Sequence, residues 1–136
     1  MILLDTNVVI AIVNDRPAVV RVKFERHLAD ARTIAVSSIV MYELRYGIAK
    51  SKLRTQNESL LRAFIDGPVA LLPFDDEDAS SASAIRAVLE KLGTPIGPYD
   101  LLIAGQALRH NATLVSANTR EFKRVKGLRI EDWTKG

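Results

Sequence analysis

The chain has 136 residues, 48% of them hydrophobic, a formal net charge of +3 and no cysteine. That length suits one compact domain, and that composition excludes a disordered chain; without cysteine, disulfides, zinc–thiolate sites and thiol nucleophiles are excluded as well. His27 and His110 are too few for a histidine-rich metal centre, no apolar run approaches the roughly 18 residues of a membrane span, and the mild positive charge fits a solvated surface as well as a nucleic-acid partner.

The predicted elements begin at Met1–Leu4. This short unbroken apolar run reads as a strand buried on both faces, and Asp5 stands at its carboxyl end. Val8 to Val13 begin a helix. Asn14-Asp15-Arg16-Pro17 is a break, and a second helix follows from about Pro17 with Val19, Val20, Phe24 and Leu28 as its apolar stripe. Thr33 to Val36 reads as a second strand. Ser37-Ser38 caps a helix running to about Ser51, on which Ile39, Val40, Leu44 and Ile48 form the apolar side. Glu43 lies beside that side by spacing, where a lone carboxylate costs desolvation energy.

Lys50 to Asn57 reads as a connection. Ser59 to Ile65 reads as an amphipathic helix stopped by Gly67-Pro68. Val69 to Leu72 is a third strand. Asp76-Glu77-Asp78 starts a helix, where the dipole favours acids; it continues through Ile85, Val88, Leu89 and Leu92 until Gly93 ends it. After the rigid loop Thr94–Pro98, a helix runs from Pro98 to Leu108, and Ala104, Gly105 and Ala107 would let it pack closely on the sheet. Ala112 to Ser116 is a fourth strand, Asn118 to Phe122 a turn and short helix, and Leu128 to Ile130 a short edge strand, with Trp133 as a closing plug. Strands alternating with helices predict one three-layer α/β domain over residues 1–136, with a central, mostly parallel sheet flanked by helices. The amino terminus shows no basic region or cleavage site, so the expected location is the cytoplasm.

Four polar groups then fall at the rim where strands end: Asp5, Glu43, Asp100 and Asn118. Such rims are where open α/β sheets form sites. Each alone has a plainer explanation. Asp5 could cap a helix, Asp100 is favoured by the dipole in any first turn, and Asn118 is an ordinary turn residue. Together they are harder to dismiss, because two carboxylates about 4 Å apart repel by roughly 4 kcal/mol at an effective dielectric near 20. Converging acids call for a cation, and all-oxygen donors suit Mg²⁺ or Mn²⁺. Metal-assisted phosphodiester hydrolysis fits that donor set. A Walker loop is excluded, because Gly93-Thr94-Pro95-Ile96-Gly97-Pro98 has the wrong spacing and no lysine. A nucleophilic-aspartate phosphatase would want a second acid where Asn7 stands.

The chain resembles the PIN-domain ribonucleases, and among them the VapC toxins of bacterial toxin–antitoxin pairs. LLDTN at 3–7, SSIVMYELRYGIAKS at 37–51, TPIGPYDLLIAGQAL at 94–108 and TLVSANTREFKRVKGLRIEDW at 113–133 carry the resemblance, in order and over essentially the whole chain. It implies a Mg²⁺-dependent endoribonuclease, with Mn²⁺ as a substitute. Asp5 and Asp100 would hold the metal, Glu43 would complete the acidic cluster and orient the attacking water, and Asn118 would stand where many relatives carry an acid. Thr6 and Ser116 would support the site through their hydroxyls. Ala117 and Gln106 replace a commonly polar residue and a frequent histidine, as changes behind the site.

The third and fourth blocks look most like toxins that cleave initiator tRNA in its anticodon stem-loop. Arg86, Arg109, Arg120, Lys123 and Arg124 are candidate phosphate contacts. Tyr42 and Tyr99, beside the acids, are candidates for stacking or for core packing. The resemblance also implies a homodimer and a cognate VapB antitoxin, docked on the apolar sides of the 37–51 and 55–66 helices. Two other readings stay open: a PIN-like RNA-binding module without catalysis, whose mark would be a lost acid, and a DNA-directed nuclease of the same fold.

Overall fold

A computed structural model describes residues 1–135. The strands β1 (Ile2–Leu4), β2 (Ile34–Ser37), β3 (Ala70–Leu72), β4 (Thr113–Val115) and β5 (Arg129–Glu131) form one sheet in the order β3-β2-β1-β4-β5. Every adjacent pair is parallel, so the mostly parallel expectation becomes an all-parallel sheet. The seven helices are α1 (Thr6–Asn14), α2 (Ala18–Ala29), α3 (Ser38–Ala49), α4 (Arg54–Ile65), α5 (Asp76–Lys91), α6 (Pro98–Arg109) and α7 (Thr119–Phe122).

β1 sits at the centre, and Ile2, Leu3 and Leu4 are fully buried, as strands covered on both faces by helices must be. Because all strands run the same way, their carboxyl ends share one rim. Asp5, Ser37 and Ser116 each follow or close a strand there. Ser37 caps α3, its hydroxyl accepting from the Ile39 amide at 3.0 Å. Asp75 and Asp78 form a capping box at the start of α5. Trp133 is buried with its ring stacked on His27 at 5.1 Å, closing the carboxyl-terminal end over the core as its expected role as a plug requires.

Three expectations change. The helix expected from Ser59 starts at Arg54; its first turns face solvent, so they carry no apolar period to betray them. On α5, Ile85 and Leu89 are buried but Val88 and Leu92 lie on the outer face. Gly105 serves helix-on-helix contact rather than the sheet, since a Cβ there would come within 2.6 Å of the Ala82 backbone in α5.

Candidate functional site

The sheet rim assembles its polar groups from four separate stretches of chain. Asp5 leaves the central strand and caps α1, its Oδ1 accepting from the Thr6 amide at 2.8 Å. Its Oδ2 accepts from the Ser116 hydroxyl at 2.7 Å. Asp5 is only 9% exposed, so both carboxylate oxygens are held in fixed positions. The Thr6 hydroxyl donates to Glu43 Oε1 at 2.8 Å, which ties α3 to the start of α1. Ser116 works in both directions, because its Oγ also accepts from the Asn118 amide at 3.0 Å.

The other half of the rim comes from the amino-terminal ends of α6 and α7. Asn118 Nδ2 donates to Asp100 Oδ2 at 3.3 Å and to Glu121 Oε2 at 2.7 Å. Burial pushes the Asp100 carboxyl up to about 7, helped by a hydrogen bond with Glu121 and by the charges of Asp5, Glu121 and Glu43. The hydrogen bond from Asn118 holds Glu121 below the usual carboxylate range, as does its bond with Asp100. The two carboxyls are thus pushed in opposite directions, Asp100 up and Glu121 down.

Thus Asp5, Glu43, Asp100 and Asn118 stand at one rim, with Thr6 and Ser116 behind them. Glu121 was not singled out from the sequence. An acid in the first turn of a short helix reads as a dipole effect, but its spacing of three residues from Asn118 places both on one helical side and was the available signal.

Other expected contacts fall elsewhere. Arg109 is taken up by the acids at the start of α5: it donates to Asp78 at 2.6 Å, to Asp75 at 2.8 Å and to Glu77 at 3.0 Å. Three acids already occupy its guanidinium, which corrects its reading as a phosphate contact. Gln106 belongs to that same group. It is fully buried and donates to Asp78 and to the Leu72 and Pro73 carbonyls, so it ties α6 to α5 and to the end of β3. Arg86 pairs with Glu90, and Arg124 donates to the Pro95 carbonyl. Arg120 and Lys123 are exposed and have no ion-pair partner among the described residues.

The donors at the rim are carboxylate oxygens, the set a hard divalent ion prefers. Among the described residues, no three acid or histidine side chains already meet at ligating distance from one point. The carboxylates are tied off pairwise by the hydrogen bonds above, and those bonds must exchange for an ion to be held. Burial and the neighbouring carboxylates Asp5, Glu121 and Glu43 all push Asp100 up, and such a crowd of oxygen donors is chemistry that fits a hard divalent metal.

A family model described as PIN domain matches residues 2–128, and the chain belongs to the PIN-domain family. This family uses a divalent metal. The chain is 39% identical over 132 residues to the tRNA(fMet)-specific endonuclease VapC of Shigella flexneri, covering 97% of both chains. It is 41% identical over 133 residues to ribonuclease VapC2 of Rickettsia felis, covering 98% of both. The crystal structure of VapBC2 from Rickettsia felis bound to a promoter DNA fragment superposes with a TM-score of 0.90 at 40% identity, covering 98% of this chain and 99% of that one. Within the PIN-domain family, then, the chain is one of the VapC ribonucleases.

Proposed function

We propose that the chain, folded as one domain over residues 1–136, is the toxin of a VapBC-type pair and cuts tRNA at the acidic rim in a Mg²⁺-dependent reaction. The observation that carries this is the gathering of Asp5, Glu43, Asp100 and Glu121 at one strand rim with no basic side chain paired to them. Asp5 and Asp100 would hold Mg²⁺, or Mn²⁺ in its place, and Glu43 would complete the cluster. When bound, the ion supplies positive charge to the phosphate and to the water that attacks it. The protein's own part is positional. Ser116 and Thr6 fix the Asp5 and Glu43 carboxylates, and Glu43 orients the water. Asn118 spaces Asp100 from Glu121 by donating to both. Asp100 would hold the ion as a carboxylate, so metal affinity would rise with pH.

The initiator-tRNA anticodon stem-loop is the substrate we favour, supported by the name of the Shigella flexneri relative. The partner is a cognate VapB-type antitoxin, supported by the VapBC complexes among the similar structures. Its docking groove is the cleft of 270 Å³ between α1, α3 and α4, lined by Val9, Ile10, Leu44, Ile48 and Leu60 and reaching Glu43. An apolar segment laid there would end beside the acids. A homodimer in the cytoplasm is the expected form of the toxin.

The test is cleavage by the purified chain of initiator tRNA, elongator tRNA, unstructured RNA and single-stranded DNA, with Mg²⁺ and with chelator. Metal-dependent cutting of initiator tRNA in the anticodon loop is the expected result. Cutting of DNA alone, or undiminished cutting in chelator, would overturn it.

A further inference from the structure

The aromatic side chains are sorted by type. Phe24, Phe64, Phe74, Phe122 and Trp133 are buried or half-buried. The chain has three tyrosines, and all three are exposed: Tyr42 by 55%, Tyr46 by 59% and Tyr99 by 42%. They lie together. The Tyr42 and Tyr99 rings are 5.6 Å apart, and the Tyr99 hydroxyl donates to that of Tyr42 at 3.4 Å. Tyr46 follows Tyr42 by four residues on α3, one turn or about 6 Å along the same helix side. The Lys50 ammonium sits 4.8 Å from the centre of the Tyr46 ring, one turn further.

This line starts at the acids. The Tyr42 hydroxyl and, more weakly, the Glu43 carboxylate lie close enough to Tyr99 to push its hydroxyl up, which puts the paired rings beside the acids. A phosphodiester held at the rim therefore brings its neighbouring nucleotides over these rings. Large aromatic faces left in water attract flat apolar partners, and stacking on them is tolerant of base identity. Unpaired loop nucleotides are the part of an RNA that offers free bases. Lys50 at the far end, and exposed Arg45 three residues after Tyr42, supply positive charge for the backbone.

We infer that Tyr99, Tyr42 and Tyr46, ending at Lys50, form a stacking track that holds the unpaired nucleotides beside the scissile bond in the acidic rim. The inference rests on the RNA-cleaving reading above and adds how the strand is held. The tyrosines are positioning residues, since they touch neighbouring bases and not the reacting phosphate.

The experiment measures binding of a labelled unstructured ten-nucleotide RNA by fluorescence anisotropy, in chelator so that no cleavage occurs. Tyr42→Ala, Tyr46→Ala and Tyr99→Ala should each weaken binding roughly 5- to 100-fold, and Tyr→Phe at each site should restore it to within about twofold, because the ring stacks and the hydroxyl does not. On an RNA of equal length made of abasic sugar-phosphates, the alanine and parent chains should bind alike. Equal loss on both RNAs would overturn the track. So would unchanged RNA binding in Tyr46→Ala together with altered sedimentation, which would make this face an interface between copies of the chain. Cleavage of tRNA in Mg²⁺ is read separately, so the track can fail while the nuclease reading stands.

Discussion

Two groups of acids lie in this molecule, and they are solved in opposite ways. Asp75, Glu77 and Asp78 surround Arg109, which donates to all three, and Asp78 is completely buried in that arrangement. Asp5, Glu43, Asp100 and Glu121 gather at the strand rim with hydroxyls and an amide between them; Arg124 lowers the Glu121 carboxyl from a distance, but among the described residues no basic side chain forms an ion pair with any of the four. The first group carries its own cation and is finished: it locks the start of α5 to the end of α6. The second lacks a cation and holds its charge in check only by hydrogen bonding and protonation, which keeps it open to an ion from solution. Where acids serve architecture the chain pairs them with its own arginine, and the rim proposed for chemistry is left without such a pair.

The contrast can be broken first at the rim. Asp5→Ala and Asp100→Ala should each lower RNA cleavage by roughly 10³-fold, about 4 kcal/mol at the barrier. Both should leave the circular dichroism spectrum unchanged; Asp100→Ala should leave the unfolding midpoint at neutral pH unchanged or improved, whereas Asp5→Ala, which removes the α1 cap, should cost about 1 kcal/mol, far less than the loss at the barrier. A fall in stability matching the fall in activity would make the rim structural. The reverse outcome is expected at the other group. Asp78→Ala removes a capping-box member and the buried partner of Gln106, and should cost roughly 3 kcal/mol in denaturant unfolding. Its cleavage rate per folded molecule should stay within about twofold of the parent.

A smaller effect sharpens the picture. Ser116→Ala takes away one oxygen that steadies both Asp5 and the Asn118 amide, and should reduce turnover or metal affinity by about 10- to 100-fold. Full activity in that variant would show that the Asp5 carboxylate is held well enough by the Thr6 amide alone.

The smallest expected effect is in the pH dependence. Asp100 titrates near 7 in the folded chain against an ordinary 3.8, so the folded state holds an extra proton between those values. Stability from this group is complete below 3.8 and is lost as the pH rises through about 7. After discounting for the solvent that reaches this half-buried carboxyl, the loss is about 1 kcal/mol. Melting curves from pH 5 to 8 should show the decline in chelator and lose it in millimolar Mg²⁺ or in Asp100→Asn. An identical slope in all three would remove Asp100 as its source.

Much of this was legible in the residue order because parallel strands announce their own ends. An apolar run followed by a polar residue places Asp5 and Ser116 on the rim once the sheet is known to be parallel, and the alternation of strands and helices says that it is. Proline and glycine marked the start of α2 and α6 and the end of α4 and α5. What the sequence concealed were choices between equal neighbours. Arg109 at a helix end looks like surface charge until α5 is folded against it. Glu121 looks like a dipole partner until α7 turns it towards Asp100. The start of α4 was hidden because its first turns face water on every side. The tyrosines needed the structure most, since only burial distinguishes an aromatic in the core from one waiting at the surface.

The place of β1 has a consequence for synthesis on the ribosome. The earliest residues form the middle of the sheet, and the strand on one side of them, β4, is not made until residues 113–115. Until then Asp5 has no Ser116 to hold it, and neither Asn118 nor Glu121 exists. The acid that leaves β1 therefore waits through more than a hundred residues of synthesis for the hydroxyl and amide that fix the rim around it.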